Sequence, residues 1–342
     1  MGIVFIFELL DELKNTELNN HILKPAKTDE IKKFKDINEL IHKLEHSEYN
    51  PLSFTDEEKI LAATFFKTVN YYSFSIYRKL LHGKDQYYTF SECLSIYNFD
   101  CFLRENLMKF SGCIESLVKT SFVNHLCSEY RGVFEKADCY LDESNYINKD
   151  VFEDVINMLE KEINKSKSIY IIHHKQKKNL KIPIWVIMEE LTFGGATYFI
   201  ESFNKYIINE WLSYLVDRKE IDLNLKENYK SSIISWIDST RFIRNTCAHH
   251  SRLYGVLLNA SQPKYCSIDF RELKREGVKK DENLTLFARL LAIKNLLTLH
   301  RDDIQKEWNS FLEDVDKKIK GNDVIFENYL GLISNWKKYL II

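Results

Sequence analysis

The stretch Arg241-Phe242-Ile243-Arg244-Asn245-Thr246-Cys247-Ala248-His249-His250-Ser251-Arg252-Leu253-Tyr254 sets three arginines, an asparagine and two adjacent histidines among apolar residues. Leading into it, Ile233, Trp236, Ile237, Thr240, Ile243 and Cys247 recur every three or four positions, the spacing of one buried helix face. No proline falls between Ile184 and Gln262, so two or three uninterrupted helices are expected to carry the stretch. Helical spacing of apolar residues continues along most of the chain, with only 4 prolines and 10 glycines to interrupt it. The pattern predicts an all-α, multi-helix bundle.

Helix geometry divides the polar residues of the stretch. At ~100° per residue, Asn245 and His249 lie one turn apart on one face, with Arg241 a turn earlier and Arg252 extending the strip. Asn245 is thereby placed to orient the His249 imidazole. Arg244 falls ~140° from His249, close to the apolar stripe. One regular helix does not bring Arg244 and His249 together. Either the arginine wraps round the helix, the helix ends within the motif, or a second copy completes the site.

These residue types suit one reaction in particular. RNA carries its own nucleophile, the ribose hydroxyl, which attacks the adjacent phosphorus once a base removes its proton and an acid protonates the leaving oxygen. Histidine serves both tasks near neutral pH. An arginine fork stabilises the charge that builds on the phosphoryl oxygens, and no metal is required. Acid and base are two groups, and the chain holds no second Arg-x-x-x-x-His. A two-fold dimer facing two His249 residues across one cleft would supply both, with His250 of the same chain as the competing partner. The competing structural reading is a buried histidine satisfied by a backbone carbonyl, with the arginines in helix-surface ion pairs.

Arg244-Asn245-x-x-x-His249 resembles the signature of HEPN ribonucleases, and RNTCAHHSRLYG over residues 244–255 resembles the Abi-like abortive-infection proteins of the AbiD/AbiF group. The likeness extends to Val69-Asn70-Tyr71-Tyr72-Ser73-Phe74-Ser75-Ile76-Tyr77, to IYNFDCFLREN (residues 96–106) and Glu115, to IPIWVIMEELTFGGATYFIESF (182–203), and to Trp308, Phe311, Leu312 and NYLGLISNWKKYL (328–340). Two positions depart from the family wording: Ser73 replaces an arginine and Gly255 an asparagine. The resemblance implies a HEPN-like helical core and a metal-independent endoribonuclease without cofactor in anti-phage defence. It makes His249 the general base or acid, Arg244 the phosphate and transition-state stabiliser and Asn245 the orienter, with His250, Arg241 and Arg252 auxiliary. It further implies control by a bound structured non-coding RNA or a phage-derived trigger. The rival function is a binding protein that holds a structured RNA or phage component without cutting; a purely structural scaffold is the third.

Composition bounds these readings. With 45% hydrophobic and 13% aromatic residues, 342 residues suffice for a substantial core. A formal net charge of −2 excludes a polycation, so RNA contact needs local basic patches. Two such patches stand out. His173, His174, Lys175, Lys177 and Lys178 form a cluster expected in a solvated loop, and Arg271, Lys274 and Arg275 lie in a polar excursion after Pro263. The 7 cysteines are scattered without a C-x-x-C pair, which fits free thiols in a reducing, cytoplasmic setting. Cys247 with His249 or His250 imitates a metal pair but lacks distant partners, so no metal site is expected.

The apolar residues 3–10 are interrupted by Glu8, lack a basic leader and are too short to span a bilayer, which makes them an amphipathic packing or partner segment. Without repeats or low-complexity linkers, residues 1–342 read as a single all-α unit with no firm boundary. Residues 1–50 form an N-terminal helical segment within it and 184–262 the motif-bearing helices. Thr55-x-x-Glu58 has the form of a capping box, and Glu189-Glu190 point ~100° apart on a helix, which sends one to solvent.

Overall fold

The computed structural model describes residues 33–82, 87–178, 181–217, 223–279 and 283–342. The apolar N-terminal stretch 3–10 lies outside them. The described residues form two compact units, one reaching Asp100 and including Asn322–Ile325, the other comprising Cys101–Gly321 and Phe326–Ile342. Both are all-α. Strand among the described residues amounts to β1 (Leu52–Ser53) paired parallel with β2 (Tyr88–Thr89) and one isolated bridge.

Side-chain caps set the helices of the first unit. Asp36 and Glu39 form a reciprocal capping box that opens α1 (Ile37–Glu45). Thr55 and Glu58 do the same for α2 (Asp56–Phe65): the Glu58 amide donates to the Thr55 hydroxyl at 3.2 Å, and the Thr55 amide donates back to the Glu58 carboxylate at 3.1 Å. Asn70 caps α3 (Tyr71–Arg78). The aromatic run on α3 serves the core: Phe74 and Tyr77 are buried, with Phe74 against the rings of Phe65, Phe66 and Phe90, while Tyr72 is exposed. Tyr77 donates to the buried Asp100 carboxylate at 2.5 Å.

The periodicity after Phe90 admits one helix or two, and the structure shows one, α4, running 40 residues from Phe90 to Glu129. In the second unit there follow α5 (Lys149–Lys165), α6 (Ile169–Lys177), α7 (Ile184–Glu190), α8 (Phe193–Glu201), α9 (Lys205–Asp217), α10 (Leu223–Ala248), α11 (Ser267–Leu273), α12 (Leu286–Leu297), α13 (Asp302–Lys320) and α14 (Trp336–Leu340). Among the described residues of 184–262 there are thus four helices, rather than two or three. Capping side chains divide them where no proline does: the Thr192 hydroxyl accepts from the Gly195 amide, and the Asn204 side chain accepts from the Ile207 amide. Glu189 is the exposed member of the glutamate pair, while Glu190 accepts from the Ser166 hydroxyl.

Helix α12 is buried on almost every side, which makes it the centre of this unit. Against it packs α10, whose predicted stripe of Ile233, Trp236, Ile237, Thr240, Ile243 and Cys247 is buried throughout. Burying each large side chain of that stripe contributes about 1.5–3 kcal/mol against leaving it in water. On its other sides α10 meets α8 and α9. No described helix is long and apolar enough to cross a membrane.

The basic cluster at 173–178 departs from expectation, since His173 to Lys177 close a helix rather than occupy a loop. The Ser168 side chain caps α6, and the cations of its last turn face the negative end of the helix dipole. The Arg271 patch is likewise helical, on α11 and the 3₁₀ turn Lys274–Glu276 that follows.

Candidate functional site

Helix α10 ends inside the motif, at Ala248. The His250 amide donates to the Cys247 carbonyl at 3.0 Å and the Ser251 amide to the Thr246 carbonyl at 2.9 Å, the two bonds of a Schellman stop. His250 takes the left-handed position, with φ 53°, that glycine commonly fills. Of the three arrangements open in the sequence, the early helix end is therefore present. It leaves His249 and His250 exposed at the tip of a helix whose preceding turns are anchored in the core.

Arg244 is part of a polar cluster rather than of the apolar stripe beside it. Its Nη1 donates to the Asn245 side-chain oxygen at 3.2 Å, and its Nε lies 3.9 Å from Glu115 Oε2. Glu115 also pairs with Lys119 at 2.8 Å, and the buried Lys119 donates to the Leu191 carbonyl at the end of α7. With its side chain 30% exposed, Arg244 is held by these partners without being closed off from solvent. Asn245 engages Arg244; among the described residues no side-chain hydrogen bond links it to the His249 ring.

The auxiliary arginines diverge. Arg241 turns to Asp238, one turn earlier on α10, and its stem lies against Gly194 of α8. Burial and the neighbouring Asp238 push the Glu201 carboxyl up, opposed by Arg241. Arg252 is half-buried beyond the helix end. The next residues are anchors: Tyr254 is buried, its hydroxyl accepting from the Phe326 amide at 2.7 Å, and the Gly255 amide donates to the Tyr329 carbonyl at 3.0 Å.

Residues 258–261 are held by a group the sequence reading passed over. Arg289, fully buried on α12, donates to the carbonyls of Leu258 and Ala260 at 2.6 Å each, to the Ser261 carbonyl, and to the Ser239 hydroxyl at 2.9 Å. Its guanidinium lies 5.3 Å from the centre of the Phe242 ring, inside the motif. Burial lowers its pKa to about 10, with Asp238 opposing. An arginine in the apolar run Leu286–Leu297 was the available signal, because a charge inside a buried helix requires dedicated partners. Glu115 carried a weaker one, its place in the family wording.

The two basic patches are not equally free to meet phosphates. The Lys175 ammonium donates to the Ile163 carbonyl at 2.6 Å, and His174 Nδ1 lies 2.7 Å from the Lys181 carbonyl. His173, Lys177 and Lys178 remain exposed. Arg271, Lys274 and Arg275 are exposed as well, interleaved with Glu272 and Glu276. Among the described residues, no group of three or more His, Cys, Asp or Glu side chains is arranged to hold a metal.

The family model described as Abi-like protein matches residues 64–255, more than half of the chain, including Glu115 and the whole of Arg241 to Arg252. This chain belongs to the Abi-like family. Abortive-infection defence is thereby its role at the family level. No curated protein and no solved structure matches it. Within the Abi-like wording, the departure at Gly255 has a conformational reading: its φ of 67° is left-handed, and asparagine is the side chain that tolerates this region best after glycine. Gly255→Asn is accordingly expected to leave the urea unfolding midpoint nearly unchanged. Gly255→Val is expected to destabilise by about 1–2 kcal/mol, since a β-branched residue is strained there; equal midpoints for the two variants would contradict this account.

Proposed function

We propose that the protein is a metal-independent, HEPN-type endoribonuclease acting in abortive-infection defence. The observation that carries this reading is the helix end at Ala248, which leaves the His249 imidazole exposed one residue further on, while Arg244 on the preceding turn is held by Asn245 and Glu115. In this reading His249 moves the proton of the attacking ribose hydroxyl or of the leaving oxygen, and Arg244 donates to the phosphoryl oxygens as charge accumulates. Asn245 and Glu115 act as positioning residues for the guanidinium. A second copy across a two-fold axis provides the other imidazole, and the open placement of His249 leaves room for that approach. His173, Lys177 and Lys178, with Arg271, Lys274 and Arg275, are the groups available to RNA phosphates. A structured non-coding RNA or a phage-derived component restrains or releases the activity.

The decisive test is product chemistry. Purified protein, incubated with RNA in excess chelator, is expected to cut it and leave a cyclic phosphate, and to spare a substrate with deoxyribose at the cut position. RNA bound but left intact would assign the protein instead to the non-cleaving class. Sedimentation in the active state is expected to show a dimer; an active monomer would remove the shared cleft.

A further inference from the structure

None of the residues assigned to RNA lines the concavity, about 440 Å³ in volume, formed where α4 ends, the 3₁₀ segments follow and α9 begins. Its lining includes His125, Glu129, Asp142, Asn204, Tyr206 and Glu210. The volume lies within the usual range for small-molecule sites, about 300–1,000 Å³. His125 is only 6% exposed, and its ring lies beside that of Tyr214, with centroids 5.4 Å apart. Among the described residues, neither ring nitrogen of His125 has a hydrogen-bond partner. The ring nitrogens are not sealed from solvent, so a ligand in the cavity can supply the bond in place of water.

The surroundings indicate what would supply it. Burial pushes the His125 imidazole down, against the opposing pull of Glu129 and Glu210, so at neutral pH the ring offers a lone pair. Glu210 is exposed and forms no ion pair among the described residues. Glu129 has a loose partner in Arg131, at 3.6 Å with both side chains mostly in solvent. Asp142 accepts from the Tyr130 hydroxyl at 2.6 Å and from the Ser144 amide and hydroxyl, which hold its carboxyl below the usual range. The wall is closely built, since a Cβ on Gly132 would lie 2.2 Å from the Tyr130 hydroxyl. Three carboxylates thus face one guanidinium in the lining, that of Arg131, which donates to the Ser128 and Tyr130 carbonyls, and the excess negative charge repels phosphates.

We propose that this cavity binds a small organic cation, an ammonium or guanidinium compound, which pairs with Glu210 and donates a hydrogen bond to the His125 ring. The inference stands apart from the nuclease reading, because the cavity shares no residue with the motif.

Isothermal titration of the full chain with agmatine and with spermidine tests it, the two probes separating guanidinium from ammonium preference. Saturable binding of at least one is expected, weakened about tenfold or more by Glu210→Gln, as loss of a charge-assisted bond requires. Because Glu210 is exposed, the variant's thermal melt is expected to match the wild type. Failure of both probes to bind, or equal binding by Glu210→Gln, would overturn the proposal. Preferential binding of adenosine monophosphate, an anion, would overturn it as well.

Discussion

His249→Ala is expected to lower RNA cleavage by ~10²–10⁴-fold, the usual contribution of a positioned proton-transfer group. Because the residue is exposed at the helix end, its loss removes no core contact, and the thermal melt should stay where it is. That separation ties the effect to chemistry rather than to folding. Arg244→Ala is expected to cost ~10²–10³-fold, the scale of a lost donor to a developing oxyanion. If the two act as one unit, the double variant should be little worse than His249→Ala alone. Glu115→Gln, which removes the charge 3.9 Å behind Arg244, should cost less than either and should do so through kcat, because it disturbs alignment rather than ground-state binding. Cleavage and growth arrest that survive both alanine variants would eliminate the nuclease mechanism.

The largest stability effect is expected at Arg289. Arg289→Met keeps the length of the side chain but strands the carbonyls of Leu258, Ala260 and Ser261 and the Ser239 hydroxyl without their donor. A buried acceptor left without its donor costs about 1–3 kcal/mol, and losing several at once can bring a domain of ordinary stability close to unfolding. Arg289→Lys should fall between, since an ammonium offers three donors but not the planar fork that reaches carbonyls in different directions. Urea unfolding followed by tryptophan fluorescence measures both. A change below about 0.5 kcal/mol in Arg289→Met, the level of an unremarkable surface substitution, would show that the guanidinium is not what holds residues 258–261.

The apolar stripe from Ile233 to Cys247 was legible because a 3.6-residue period permits only one kind of buried face, and every member of it is in the core. Thr55 and Glu58 were legible for a similar reason, since a capping box is completed within four residues. The basic cluster at His173 to Lys177 was misplaced in a loop because charge density was weighed above the Ser168 cap and the dipole that makes cations welcome in a last helical turn. The helix count over residues 184–262 came out too low because Thr192 and Asn204 punctuate as effectively as proline while resembling ordinary polar residues.

By itself the sequence determined what is local: an all-α chain, the buried face of the motif-bearing helix, the Arg244-Asn245-x-x-x-His249 wording and, through it, the Abi-like family. Only the tertiary structure decided that α10 stops at Ala248, that Arg244 meets Glu115 from 129 positions earlier, and that Arg289 holds residues 258–261. The reason is the range of the interactions. Periodicity and capping act over a few residues and leave a record in the adjacent sequence. Partners for a buried charge are chosen by how the helices pack, and nothing in the neighbouring residues records that choice.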